Sequence, residues 1–248
     1  MRTVKIVLKH GFDENVLKDS IFITGFPGFG LVGYLTSKHI ALTLKMEKIG
    51  FIKTKYLPET TFYIKGAGLI FPFELYYKEV NGVKLLVQVN HSIPHLHERT
   101  YFAETIVNWL KDIGVRETIL VGGLDPSVKE HPDEKYRWIP LGPTNRELDA
   151  PLLEERYVIG PLALTMMFVE ANNIPGVAIF PYAEPYRADP KATAIAVNLI
   201  SEMLKLEIDV TRLYKEATIL EEIESREREL IKKVYESELS KKQHPMYM

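Results

Sequence analysis

Cysteine is absent from all 248 residues, which excludes disulfides, thiolate metal sites and a cysteine nucleophile. That absence suits a reducing cytoplasm, or an organism that avoids thermolabile residues. Long apolar runs are missing too. No stretch approaches the roughly 20 residues that span a bilayer, and Met1-Arg2-Thr3 opens on short apolar runs broken by charges, unlike a signal peptide. Charge of one sign is also lacking: 31 Lys and Arg stand against 33 Asp and Glu, for a formal net charge of −2. That balance gives no general attraction to nucleic acid or to an anionic membrane, and no basic run exceeds a pair such as Lys241-Lys242. Neither is expected as a partner. Several signatures of catalysis are missing as well. There is no Gly-x-Ser-x-Gly elbow and no His-Glu-x-x-His, and no nucleophile stands beside an evident base.

What is present describes one substantial core. Hydrophobic residues make up 46% and charged residues 26%, ordinary values for a globular chain of this length. Short β-rich runs are expected at Val4 to Leu8, Ile21 to Ile23, Lys48 to Lys53, Thr60 to Ile64, Leu75 to Val80 and Lys84 to Val89. Asn81-Gly82 marks a hairpin between the last two, expected at or beyond a sheet edge. A helix is expected from Leu31 to Leu44, with Leu31, Leu35, Ile40 and Leu44 on or near one face. The second half alternates. Helices are expected at Glu98 to Ile113, Pro161 to Ala171 and from Asp189-Pro190 to Leu206, with strands at Glu117 to Val121 and Gly176 to Pro181. Asp125 to Asp149 reads as a long polar excursion holding a strand at Tyr136 to Ile139. The alternation points to an α/β fold, a largely parallel sheet flanked by helices, with an antiparallel hairpin and a C-terminal helical extension.

Residues 1–208 form the expected core domain. Residues 209–242 contain neither glycine nor proline and are dense in charge. Glu222/Arg226, Glu224/Arg228, Glu229/Lys233 and Glu238/Lys242 each place a carboxylate four residues before a cation, the favourable helical order. Leu213, Leu220, Ile223, Leu230 and Val234 form a narrow apolar stripe that needs the protein's own body or another subunit as partner. Residues 243–248 form a tail in which Pro245 ends the helix and leaves Met246-Tyr247-Met248 extended. Such a tail offers an aromatic ring with a hydroxyl handle, followed by a free carboxylate. The same residues also fit a frayed terminus.

Three constellations are candidates for chemistry. Gly28-x-Gly30-x-x-Gly33 follows a strand and opens a helix, as a dinucleotide fingerprint does. The acidic residue that should close the next strand is replaced by Lys53-Thr54-Lys55, and Tyr34 stands where a Walker motif would place lysine. The competing reading is a turn in which glycine allows positive φ and close helix packing. His91, His95 and His97, with Glu98, form the only histidine cluster, but their spacing suits no single helix face and no fourth ligand declares itself. Asp125, Glu184 and Arg187 lie just beyond strands, where open α/β sheets hold ligands. An enzyme acting on a nucleoside or nucleotide through these residues is the alternative reading. No metal and no cofactor is expected.

Phe26-Pro27-Gly28-Phe29-Gly30-Leu31-Val32-Gly33 resembles the glycine-rich signature of the proteasome assembly chaperone 2 family. Ile159-Gly160-Pro161 to Leu164, Ile174-Pro175-Gly176 to Pro181, Asp189-Pro190-Lys191-Ala192 and Ile208-Asp209-Val210 with Leu213 follow the same family's pattern. The resemblance covers roughly residues 20–217. It implies a fold similar to nucleoside phosphorylases, used to bind protein and not for catalysis. It also implies a homo-oligomer, a tetramer or pentamer, with protruding C-terminal helices. Gly25, Pro27, Gly28, Gly30 and Gly33 then form a structural turn. Met246, Tyr247 and Met248 match the hydrophobic–tyrosine–any motif by which proteasome activators dock between α-ring subunits. The partners so implied are the α-subunits of the proteasome core particle and further copies of the chain.

Overall fold

The computed structural model describes residues 4–223 and residue 226. Eight strands form one sheet: β1 (Lys5–Leu8), β2 (Ile21–Gly25), β3 (Glu47–Lys53), β6 (Phe73–Val80), β7 (Val83–Asn90), β8 (Glu117–Val121), β9 (Tyr136–Leu141) and β10 (Gly176–Pro181). Their spatial order is β1-β3-β6-β7-β2-β8-β10-β9. The central four, β7-β2-β8-β10, are parallel, while β1, β3 and β6 extend one side antiparallel and β9 closes the other. Among the described residues two further strands, β4 (Phe62–Ile64) and β5 (Gly68–Ile70), pair only with each other.

The central strands read as continuous apolar runs because both faces are covered. Ile21 and Ile23 of β2, Ile119 and Val121 of β8, and Val177 and Ile179 of β10 enter one core cluster. The residues between them, Phe22, Leu120, Ala178 and Phe180, enter the other. Helices α1 (Val32–Thr43) and α4 (Pro190–Leu204) pack together over the first face. Helices α2 (Arg99–Asp112) and α3 (Pro161–Ala171) cover the second. Asp189 opens α4 as expected, its carboxylate accepting the Ala192 N–H at 2.9 Å with proline next in line. Gly114 follows α2 at φ +69°.

Two expectations need correcting. The Asn81-Gly82 hairpin lies inside the sheet, with β7 bonded to β2 at its centre. Turn chemistry specifies that two strands pair but is silent on their other neighbours; the unbroken apolar series Leu85-Leu86-Val87, buried on both sides, places β7 centrally. The buried face of α1 is Val32, Gly33, Thr36, Ser37, Ile40 and Ala41, and only Ile40 belongs to the expected leucine face. At Gly33 the helix lies so close to β2 and β8 that a Cβ would strike their backbone, which turns this face and not the leucines to the sheet.

Beyond α4 the chain turns at Lys205, and Asp209 accepts the Thr211 N–H at 2.8 Å to begin a helix described over residues 211–223. Leu206, Ile208 and Leu213 join the α1–α4 core, and Ala217 is buried. The Lys191–Glu221 ion pair at 3.6 Å places the far end of this helix beside the start of α4.

Candidate functional site

Strand β2 continues into α1 on one face of the sheet, whereas the chain leaving its neighbour β8 runs on beside the end of β10, where Leu124 bridges Tyr182, and goes on to β9. The two chains diverge, leaving a crevice at their carboxyl ends, the position where open α/β sheets receive ligands. Its floor and one wall are Phe26 to Phe29 and Gly122 to Leu124, and its other wall is Leu153, Tyr157 to Ile159, Leu162 and Phe180. The cavity measures about 380 Å³, and among the described residues no lining side chain is charged.

The glycine-rich turn shapes this crevice by close packing. A Cβ on Gly25 or Gly33 would strike the Val121 carbonyl oxygen, so these two glycines let the start of α1 lie against β2 and β8. Gly30 adopts φ +61°, Leu31 follows at φ +52°, and the Gly30 carbonyl accepts the Asp189 N–H at 2.9 Å, joining the turn to α4. Gly28 is extended at φ −157°, a conformation open to any residue. Pro27 lines the cavity and Phe29 is exposed at its lip. A dinucleotide fingerprint requires the next strand to return parallel beside the first. Here β3 is separated from β2 by β6 and β7, so this turn opens no mononucleotide-binding βαβ unit.

The histidine cluster is not brought together on a metal. Among the described residues, no group of three His, Cys, Asp or Glu is placed to hold one. His91 Nε2 meets the Glu74 carboxylate at 3.0 Å, and its Nδ1 meets the Tyr34 hydroxyl at 3.2 Å. His95 and His97 lie ring to ring at 5.2 Å, with Tyr56 against His95. The Glu98 carboxylate is buried and accepts the N–H groups of Lys55 (2.6 Å) and Tyr56 (3.0 Å), fastening the chain that leads to β4.

Sequence reasoning missed Glu74, the centre of this region. It is wholly buried and receives Lys48 Nζ at 2.6 Å, Tyr76 O–H at 2.7 Å, His91, and the Phe71 N–H at 3.0 Å. Burial by itself would push the Glu74 carboxyl up, but these donors together hold it below its usual value. Burial next to that carboxylate pushes the Tyr76 hydroxyl far up, so it remains a donor. A lone glutamate at the start of a strand carries no signal of this role, because Lys48 and His91 reach it from two distant segments.

Of the strand-end candidates, Asp125 caps a short turn by accepting the Ser127 N–H at 2.8 Å, and these contacts with Ser127 hold its carboxyl below the usual range. Glu184 is exposed, while its N–H donates to Asp189 Oδ2 at 3.1 Å. Arg187 Nη1 lies 3.5 Å from the Ala188 carbonyl. A larger groove of about 670 Å³ runs between residues 129–136 and α4. Its lining mixes Lys129, Lys135 and Lys191 with Asp133, Glu134, Asp189 and Glu202, giving no strong field of one sign. Residues Met246, Tyr247 and Met248 lie outside the described residues. Among the described residues, no helix is long and apolar enough to cross a membrane.

The model of the PAC2 family matches residues 22–228. An uncharacterised protein of Methanocaldococcus jannaschii is 24% identical over 246 residues, which cover 94% of this chain and 93% of the relative. The fold is also that of PbaB of Pyrococcus furiosus, described as an archaeal proteasome activator (TM-score 0.76, 22% identity, 92% of this chain and 100% of that one). PbaA of the same organism, described as an archaeal homologue of proteasome-assembly chaperone, superposes with TM-score 0.76 at 22% identity, covering 99% of this chain and 100% of that one.

Proposed function

The chain belongs to the PAC2 family, and from that premise we propose that it is a non-enzymatic, homo-oligomeric factor of the cytoplasm that binds the proteasome core particle, assisting its assembly or activation. The observation that carries this reading is the family match over residues 22–228. The site supports it. The crevice at the strand ends is uncharged, its lip exposes Phe29, Tyr157 and Ile159, and such exposed apolar surface marks protein interaction. A phosphate-bearing substrate would find no charged side chain in that lining. Solved relatives described as a proteasome activator and as a homologue of a proteasome-assembly chaperone share the fold.

In this reading the body, residues 1–208, carries the charged helix 209–242, which presents the tail 243–248 to the α-ring. Met246 and Tyr247 enter a pocket between α-subunits, and the carboxylate of Met248 meets a basic side chain there. Several weak tails on one oligomer bind together through effective concentration. The test is surface plasmon resonance on purified α-rings with the full chain and with a chain lacking Met246 to Met248. The full chain is expected to bind, and the truncated chain to lose at least tenfold in affinity. Equal binding by both would remove the tail from the mechanism; binding by neither would remove the proteasome as partner.

A further inference from the structure

The hairpin β4–β5 stands apart from the sheet and exposes large apolar residues. A two-stranded sheet is marginal alone in water and needs a surface to rest on. The Phe62 ring, though 52% exposed, meets the His91 ring edge to face at 6.4 Å, and Ile70, its cross-strand partner, is buried, so this pair lies on the side turned to the body. Tyr63 and Leu69 are the next directly opposed pair and face away, 70% and 52% exposed. Ile64 beside them is also exposed. The turn beyond them carries Lys65, which is exposed.

The molecule also holds a concave surface of matching chemistry. The crevice between β2 and β8 is uncharged, and its outer wall exposes Tyr157 at 97% and Ile159 at 82%. Between the lining residues Leu153 and Tyr157 the wall carries exposed Glu154 and Glu155, followed by Arg156, a net negative rim. The apolar hairpin with a lysine at its turn and the apolar crevice with an acidic rim are complementary in chemistry and charge. They are not positioned to meet within one chain. Lys48 Nζ holds the Leu69 carbonyl at 2.6 Å, Phe51 stacks on Phe71 at 4.7 Å, and Glu98 grips residues 55 and 56, so the hairpin root is fixed over β3 and β6. The crevice lies beyond β7, between β2 and β8.

We propose that the β4–β5 hairpin of one copy docks into the glycine-rich crevice of a second copy. Tyr63 and Leu69 cover the Tyr157–Ile159 wall, and Lys65 faces Glu154 and Glu155. Two different patches meet in this contact, so it is heterologous: each copy uses its hairpin on one neighbour and its crevice on the other, and repetition closes a ring. The inference rests on the homo-oligomer reading above and names its interface.

The experiment uses the full chain. One variant carries Tyr63→Glu with Leu69→Glu on the hairpin, and the other carries Ile159→Glu with Tyr157→Glu on the crevice. All four positions are exposed, so both variants are expected to keep the parent's circular dichroism and melting temperature. Mass is read by sedimentation velocity. The parent is expected to sediment as an oligomer and each variant as a 28.5 kDa monomer. An equimolar mixture is expected to form a dimer, because one intact hairpin then meets one intact crevice. Variants that keep the parent's mass overturn the proposed interface, and a mixture that stays monomeric overturns the pairing of these two surfaces. A parent that is itself monomeric overturns the homo-oligomer reading as well, whereas an oligomeric parent with oligomeric variants overturns the interface alone.

Discussion

At the scale of single residues, a glycine pair and a buried glutamate carry the most weight. Gly33 is expected to tolerate no side chain, since a Cβ there meets backbone that cannot move aside. Gly33→Ala is favoured by helix propensity by about 1 kcal/mol, yet forcing extra atoms into a close contact costs about 1–3 kcal/mol or more. The collision outweighs the propensity, and urea unfolding is expected to show a net loss of stability. Glu74 supplies the second test. Its carboxyl is held below the usual 4.5, so its charged contacts stabilise the fold above that pH and are lost as pH falls through the lowered value. Glu74→Gln keeps the shape and removes the charge. Its deficit relative to the parent is expected to be full near neutrality and to shrink steadily below pH 4.5, as followed by denaturant titrations across that range. An unchanged deficit would show that the carboxylate is not the titrating group.

At the scale of elements, the hairpin root and the last described helix decide how the body is finished. Glu98 satisfies two backbone donors at the entrance to the hairpin. Glu98→Ala leaves both unmet in a half-buried place, a cost of about 1–3 kcal/mol for each such group. The effect is local, and faster limited proteolysis within residues 57–70 is its expected signature. The helix over residues 211–223 is part of the core at its start, because Leu213 is buried with α1 and α4. Leu213→Ala is expected to cost about 2–5 kcal/mol in chemical denaturation, and removing residues 210–248 at least as much. The sequence stripe that begins at Leu213 therefore starts on the protein's own body, while Ile223 is exposed.

At the scale of the whole molecule, the order of strands determines what the glycine-rich turn can do. One glycine pattern can open a nucleotide-binding βαβ unit or only a tight turn, and the local sequence around residues 25–33 is compatible with both. The difference lies in where the strand after α1 goes, and it goes three places away. What remains at the carboxyl ends of β2 and β8 is an apolar crevice suited to protein.

Most elements were legible because their cause is local. Periodicity, the Asp189-Pro190 cap, Gly114 after α2 and the Asn81-Gly82 turn act within a few residues, and the structure places β2, β8, β10, α2, α3 and α4 close to their expected bounds. The resemblance carried by residues 26–33 and 159–192 leads to the family that the chain belongs to. The central place of β7, the small-residue face of α1, the Glu74 cluster and the crevice were decided by tertiary structure alone. Each depends on which segments far apart in the chain become neighbours: Glu74 gains donors from β3 and from just beyond β7, and the crevice exists because the chain leaves β2 into α1 but leaves β8 along the end of β10. Such pairings are set by the total burial of both sheet faces, a sum over the whole chain that no local window contains.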